Sequence, residues 1–435
     1  MKIKQLKLNH FRRFSELDID FDEQLTVLVA RNGAGKSSIL DAVATLLGSF
    51  LTRVPQVAGI NPKETDFQIL PNGKKPPYMR IACETFEGIK WDRTEKRDQT
   101  KKTAAAIPEG KGIKDLNNYV DQFIDADNDG ETYELPIFIY YGTGRGVFEV
   151  PQRTKGFNKI FRRFDAFTGG LESRANFKSF VEYFYSLEKT ESDRQQEARS
   201  FDIEIPELRA IRKAITAMLP DFSNPKGAKP AGIEVDWKVG EQTKKLRIEQ
   251  LSDGYRTTLA MVMDIAGRMA EANPEMDDPL LASGIVLIDE VDLHLHPGWQ
   301  QTILLDLMRT FPNLQFIVST HSPQVVSSVK PKCLRVIDWI DEKPSIKSVS
   351  FSEGAESQQV LMEILGLESP RVKELEIVKD LTHYQQLVSK DLWDSQEALG
   401  LRKKLDDWGA EYEPELARLD IDIRLKEMDR LDEEG

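Results

Sequence analysis

Several short apolar runs in the chain predict buried strands, and each run ends in polar residues. The runs are LTVLVA (25–30), GIVLI (284–288) and FIV (316–318). Uninterrupted apolar segments of this length are typical of parallel strands that are covered on both faces. The segment after the first run, SSILDAVATLLG (37–48), has the periodicity of a helix. The pattern therefore predicts an α/β fold.

The turn between the first strand and this helix is a candidate phosphate-binding loop, ARNGAGKSS (30–38). Glycines at 33 and 35 let backbone N–H groups approach phosphate oxygens, and the helix dipole adds positive potential. Lys36 is expected to reach the β- and γ-phosphates, and the Ser37 hydroxyl to hold Mg²⁺. The usual pattern opens with glycine, where this chain has Ala30. The predicted ATP-binding residues here are Asn32, Gly33, Ala34, Gly35, Lys36, Ser37 and Ser38.

The other two apolar runs deliver candidate catalytic residues. The second run ends in Asp289 and Glu290, at the carboxyl end of the strand, where sites in parallel sheets lie. Asp289 is the expected Mg²⁺ partner, and Glu290 is placed to polarise the attacking water. His321 follows the third run, within STHSP, and is expected to contact the γ-phosphate.

Between the first and second runs lies LSDGYR (251–256). In this order, the four motifs resemble the ATP site of an ABC-type ATPase head. The resemblance implies that Ser252, Asp253 and Gly254 clamp the phosphates held by a second copy, so that ATP joins two heads and hydrolysis releases them. Asp253 replaces a glycine of the common LSGG form.

Further motifs narrow the resemblance. MKIKQLKLNHFRRF (1–14) looks like the start of RecF and of structural-maintenance-of-chromosomes ATPases, which implies that Arg12, with Arg13 beside it, contacts nucleotide. DEVDLHLHP (289–297) and STHSP resemble overcoming-lysogenization-defect ATPases. In the first of these, His296 replaces the usual Asp, and we expect it to line the dimer interface. FIYYGTGR (138–145), the moderate insert and the acidic tail look most like the ATPase subunit of Septu-type anti-phage defence.

Motif order predicts a divided head: residues 1–90 form its first half, 91–240 an insert with helical parts, and 241–355 its second half. Residues 356–435 follow as an acidic helical tail. They carry 11 Lys/Arg and 21 Asp/Glu, a net charge of −10 out of −13 for the whole chain. Such a tail suits a protein partner better than DNA. Gln68 is a candidate for the Q-loop that senses Mg²⁺ and γ-phosphate; a solvated loop glutamine is the alternative.

One basic cluster in the insert is a candidate DNA contact. It interleaves with Phe157, Phe161 and Phe164 and consists of Arg153, Lys155, Lys159, Arg162 and Arg163. The spacing suits a phosphate-backbone patch on a helix. The alternative is an amphipathic helix that buries its phenylalanines and leaves a solvated basic face.

Several features exclude other classes. No apolar run reaches membrane-spanning length and the N-terminus begins with a strand, so we expect a cytoplasmic protein without a signal peptide. Cys83 and Cys333 lack metal-ligand spacing and are expected to be buried thiols. The acidic run from Asp125 to Gly130 lacks the final EF-hand glutamate and is expected to be a surface turn. Three of the five histidines belong to the ATPase motifs, and the remaining histidines are too few for the metal site of an HNH nuclease.

These observations predict an ATP- and Mg²⁺-dependent ABC-type head, with a helical insert and a helical C-terminal extension. It would act as sensor and scaffold of an anti-phage complex. Head-to-head dimers, or a higher oligomer built from them, would control a separate HNH-type nuclease bound to the C-terminal helices, with hydrolysis slow or mainly regulatory. The alternative is a RecF-like DNA-repair clamp without a nuclease partner. A transporter head is a distant third, because Phe14 is a poor candidate for stacking on adenine.

Overall fold

The computed structural model describes residues 1–146, 161–173, 177–229, 232–409 and 412–434, and its contacts divide the chain into two units, 1–360 and 361–435. The strands all lie in the first unit: β1 (Ile3–Phe11), β2 (Phe14–Asp20), β3 (Leu25–Val29), β4 (Tyr78–Thr85), β5 (Lys90–Lys96), β6 (Ile137–Tyr141), β7 (Phe222–Gly227), β8 (Ile233–Val239), β9 (Gln242–Arg247), β10 (Gly284–Ile288), β11 (Leu314–Thr320), β12 (Leu334–Ile340) and β13 (Lys343–Lys347).

The helices of the first unit are α1 (Lys36–Leu51), α2 (Lys101–Ala105), α3 (Lys114–Asp129), α4 (Phe177–Ala198), α5 (Pro206–Met218), α6 (Asp253–Ala272), α7 (Pro297–Gln300), α8 (Ile303–Thr310), α9 (Pro323–Ser327) and α10 (Ser357–Gln359). Those of the second unit are α11 (Glu376–Ser389), α12 (Gln396–Gly409) and α13 (Pro414–Glu434). No helix in the described ranges is both long and apolar enough to cross a membrane.

The predicted apolar strands are neighbours in one six-stranded sheet of order β13-β12-β3-β11-β10-β6. All its pairs are parallel except β12–β13. Ile288 pairs with Val318, and Thr320 pairs with Val29, so the carboxyl ends of β3, β10 and β11 lie at the same edge. The predicted α/β fold is therefore confirmed, with the polar residues that follow these strands brought together. A four-stranded antiparallel sheet, β2-β1-β4-β5, and a three-stranded one, β7-β8-β9, complete the first unit.

The strand β6 shows how helices cover both faces of the central sheet. Side chains of a strand alternate between its faces. On one face, the Phe138 ring packs edge-on against Phe50 of α1, with 5.0 Å between centroids. On the other, the Tyr141 hydroxyl donates to Asp264 of α6 at 2.7 Å. The sheet is thus held between α1, which begins within the phosphate-binding loop, and α6, which begins within LSDGYR.

A buried ion pair ties α6 to its surroundings. Arg268 donates through Nε to both carboxylate oxygens of Asp264 at 3.1 Å, and through Nη1 to the carbonyl of Ala166 at 2.6 Å. Both side chains are almost fully buried. A buried charge pair is tolerated only when its polar atoms find partners, and here Tyr141 and backbone carbonyls supply them. The helix α6, which contains most of LSDGYR, is therefore fixed to β6, the strand beside β10.

Two segments differ from the sequence-based expectations. The motif order places the strand β6 in the insert, whereas in the structure it pairs with β10 as an edge strand of the head sheet. Its five side chains are all buried. The acidic run from Asp125 to Asp129 is not a surface turn. It is the last part of α3, whose Leu116 and Val120 are buried, and Gly130 ends the helix with φ +68°. Cys83 and Cys333 are both buried thiols, as expected.

The second unit has a core of its own. Its buried side chains come from α11, α12, α13 and the segments between them: Leu381, Tyr384, Leu387, Val388, Trp393, Ala398, Leu401, Leu405, Leu416 and Leu419. Bidentate pairs reinforce this packing, Arg371 with Glu413 at 2.7–2.8 Å and Arg402 with Asp420. The predicted helical tail therefore packs as a small helical unit.

Candidate active site

The phosphate-binding loop follows β3 and opens α1. Gly33 and Gly35 have φ of +74° and +111°, values that L side chains rarely adopt. At Gly35 a Cβ would also lie 2.3 Å from Cζ of Phe14, so both backbone angle and space require glycine there. The Ser37 side chain is exposed beside the loop. Glycines at these two positions therefore permit the backbone conformation of the loop.

Lys36 lies at the centre of the site. Its side chain is buried, and its Nζ donates to the carbonyl of Ala30 at 3.2 Å and lies 2.7 Å from Nε2 of His321. Since an ammonium is only a donor, Nε2 of His321 accepts in this contact. Burial lowers the pKa of Lys36, while Asp289 and Glu290 oppose the shift. Three predicted motifs therefore meet around one cation.

Ser319 holds the two acidic residues after β10. Its hydroxyl donates to Oδ1 of Asp289 at 2.5 Å and accepts from the backbone N–H of Glu290 at 2.8 Å. Glu290 has φ +49°, an uncommon value for a residue with a side chain, and the hydrogen bond helps to hold it. Sequence reasoning missed this role of Ser319, although the residue is the first of STHSP. The next residue, Thr320, donates in the same manner to Asp292 at 2.6 Å.

Oxygen ligands suited to Mg²⁺ are present. Mg²⁺ is commonly bound through one or two protein oxygens, together with substrate phosphates and water. Ser37 offers an exposed hydroxyl at the start of α1, and Asp289 offers a carboxylate at the end of β10. The residues present thus fit the predicted ion. No group of three or more His, Cys, Asp or Glu suited to a metal occurs in the described residues, and this mode of binding requires none.

The LSDGYR motif lies in a different place. Ser252 precedes α6, and a Cβ on Gly254 would lie 2.6 Å from the carbonyl of His294. Around them is an open groove of about 520 Å³, lined by Ser252, Asp253, Gly254, Tyr255, His294, His296 and Trp299. No residue of the phosphate-binding loop lines this groove. Two rings of its lining, those of Tyr255 and Trp299, pack edge-on with centroids 4.4 Å apart.

The two arginines of the β1–β2 turn have different environments. Arg12 is held by Asp41 at 2.5 Å and by Asp66 at 3.0 Å. Arg13 is exposed, and its Nη1 donates to the carbonyl of Gly33 in the phosphate-binding loop. The resemblance pointed to Arg12, whereas in the structure Arg13 is the one that touches the loop. Gln68 lies beside this turn, with Nε2 donating to the carbonyl of Arg13 at 3.4 Å.

The predicted basic cluster lies only in part within the described residues. Arg153, Lys155 and Lys159 lie outside the described residues. Arg162 is exposed, but Arg163 turns inward, donating to the carbonyls of Ala272 at 2.7 Å and Tyr133 at 2.6 Å. Its guanidinium also stacks 3.6 Å from the centroid of the Tyr133 ring. Arg163 therefore holds the backbone together here, which differs from the predicted contact with phosphate.

A protein-family model described as AAA domain matches residues 5–223, half of the chain. The chain belongs to this family. Among curated relatives, the Retron Vc95 probable ATPase of Vibrio cholerae is 26% identical, covering 93% of this chain and 86% of the relative. The Retron Ec83 probable ATPase of Escherichia coli is 28% identical, covering 98% and 87%. The Septu protein PtuA of Bacillus mycoides is 26% identical, covering 74% and 38%.

These similarities confirm the resemblance to ABC-type ATPases, with a Septu protein among the relatives. The chain spans more than four-fifths of both retron relatives. The sequence did not suggest the retron connection, because it rests on similarity along the whole chain and not on a short motif.

The lowered pKa of His321 makes the free energy of unfolding depend on pH, and this dependence can be measured. Burial lowers its pKa below 6.5, and Lys36 lowers it further, against the opposing effect of Asp292. The unfolded chain then binds the proton more readily, so the free energy of unfolding should fall as the pH drops below about 6.5. This loss should be complete once the pH is below the folded pKa. Urea unfolding from about pH 5 to 8 measures it.

His321→Gln should remove this part of the slope, whereas His383→Gln in the second unit should retain it. Parallel pH profiles for His321→Gln and the unmodified protein would contradict the assignment.

Proposed function

We propose that the chain binds MgATP at the phosphate-binding loop and hydrolyses it. The observation that carries this proposal is the 2.7 Å contact between Lys36 and His321, residues 285 positions apart, beside the carboxylates after β10. Lys36 would exchange its contacts with Ala30 and His321 for the β- and γ-phosphates. The ion would be held by Ser37 and Asp289 and would neutralise phosphate charge.

In this proposal Glu290 polarises the attacking water, and His321 contacts the γ-phosphate. Neutral His321 can donate from one nitrogen and accept at the other, and the lowered pKa favours that form at neutral pH. Ser319 keeps Asp289 and Glu290 in place from the neighbouring strand. The catalytic groups are therefore supported by the rigid edge of the sheet, as precise positioning requires.

Two copies are needed to complete the proposed site. The groove with Ser252 contains none of the loop residues, so its clamp is available to a nucleotide bound elsewhere. In a head-to-head pair, the groove of one copy would face the phosphates held by the other. ATP would then stabilise the pair, and hydrolysis would release it.

Glu290→Gln should retain ATP binding and accumulate paired heads, because the amide keeps the shape but cannot polarise water. Lys36→Ala should lose binding, since it removes the central cation. Light scattering of the purified chain with and without ATP measures pairing, and phosphate release measures turnover. Hydrolysis by Glu290→Gln at the parental rate would show that another residue polarises the water.

For the wider role, we propose a cytoplasmic anti-phage complex in which this chain is the nucleotide-regulated sensor and scaffold. Two relatives that cover more than nine-tenths of the chain are retron probable ATPases, and a Septu protein is similar over 74% of it. A separate HNH-type nuclease would be the effector, as the Septu resemblance implies. A RecF-like repair clamp remains the second candidate. The similarity to a Septu protein over 74% of the chain favours the defence role.

The second unit has a surface suited to such a partner. On α13, Ile421, Leu425 and Met428 recur at helical spacing and are 60%, 56% and 62% exposed. Leu416 and Leu419 of the same helix are buried in the core of the unit. The exposed apolar stripe lies within a segment of net charge −10, so a basic, partly apolar surface on the partner would match it.

Changing the stripe to glutamate at all three positions should abolish recovery of an HNH protein when the tagged chain is purified from its native host. Mass spectrometry identifies the recovered protein. Phe201→Glu, which alters a side chain 93% exposed in the first unit, should leave recovery unchanged. Recovery of recombination factors and DNA in place of a nuclease would favour the repair clamp.

A further inference from the structure

Three planar side chains stack beside the phosphate-binding loop. The ring of Trp339, on β12, stacks on that of Phe14, with centroids 5.6 Å apart and planes inclined by 22°. The guanidinium carbon of Arg13 lies 3.6 Å from the centroid of the Trp339 ring. Cation–π stacking of this kind holds the plane of an arginine in a fixed orientation.

Each layer of this stack touches a different residue of the loop. Phe14 lies where a Cβ on Gly35 would be, and Trp339 donates through Nε1 to the carbonyl of Ala34 at 3.0 Å. Arg13 donates to the carbonyl of Gly33. The stack is thus aligned residue by residue with the segment that would cradle phosphate.

The environments of the three layers decide which can contact a ligand. Phe14 is fully buried, which agrees with its exclusion as an adenine-stacking residue. Trp339 is covered on one face by the guanidinium of Arg13. Arg13 itself is exposed, and Trp339 occupies only one of the two faces of its planar group. Neighbouring Arg12 cannot substitute, because Asp41 and Asp66 hold it.

We propose that the exposed face of the Arg13 guanidinium, supported by Trp339, is the stacking platform for the nucleobase of the bound nucleotide. This inference rests on the proposed binding of the triphosphate at Lys36. Guanidinium planes stack on bases, and every base offers a π-face. The platform therefore contributes affinity for the base without distinguishing adenine from guanine.

The test distinguishes contacts with the nucleobase from contacts with the phosphates. Binding of ATP, GTP and inorganic tripolyphosphate, each with Mg²⁺, is measured by calorimetry on the full chain. Arg13→Lys keeps the charge and loses the plane. It should weaken the binding of ATP and GTP roughly tenfold and leave the binding of tripolyphosphate unchanged. Arg53→Lys, just beyond the C-terminal end of α1, is the matched control and should bind all three as the unmodified protein does.

Trp339→Ala removes the support of the platform and should act in the same direction, whereas Trp339→Phe should retain most of the affinity for ATP. Equal melting temperatures without nucleotide would show that the variants fold. Unchanged ATP affinity in Arg13→Lys would overturn the proposal, and so would equal weakening of ATP and tripolyphosphate. Normal binding of tripolyphosphate by Lys36→Ala would contradict the proposed phosphate site, and this outcome is distinct from a failure of the Arg13 platform.

Discussion

A single buried ammonium group, that of Lys36, organises the candidate site. A cation that is removed from water needs acceptors and negative charge nearby. Ala30 and His321 supply acceptors, and Asp289 and Glu290 supply charge. These groups follow the carboxyl ends of three parallel strands, and the common edge of the sheet brings them within reach of one side chain. The register of β3, β10 and β11 is therefore a functional constraint as well as a structural one.

The geometry also explains why one copy of the chain is insufficient in our account. The groove around Ser252 is lined by none of the loop residues, and α6, which supplies part of the lining, is fixed to β6 by Tyr141, Asp264 and Arg268. The strand β6 in turn pairs with β10, and the candidate catalytic carboxylates of Asp289 and Glu290 follow β10 directly. Contact of the groove with a second copy would therefore act on a rigid body that includes the neighbouring strand. This arrangement suits a head whose pairing state is coupled to its nucleotide.

Local patterns predicted much of this structure, and distant contacts account for the rest. The strand β3, the loop glycines and α1 follow one another in sequence, so their motif fixes their geometry. The hydrogen bond from Ser319 to Asp289 and the stack of Arg13 on Trp339 join distant segments, and neither leaves a periodic signal. Assignment of β6 to the insert failed for the same reason, since its partner β10 lies far along the chain.

The central claim, that each ATP site combines the loop of one copy with the groove of another, is tested by mixing two inactive variants. Lys36→Ala retains the groove, and Ser252→Arg retains the loop. Each should lack ATP hydrolysis alone, while an equal mixture should recover about a quarter of the parental rate, because half the pairs contain one complete site. Full activity of Ser252→Arg alone, or an inactive mixture of folded proteins, would contradict the account.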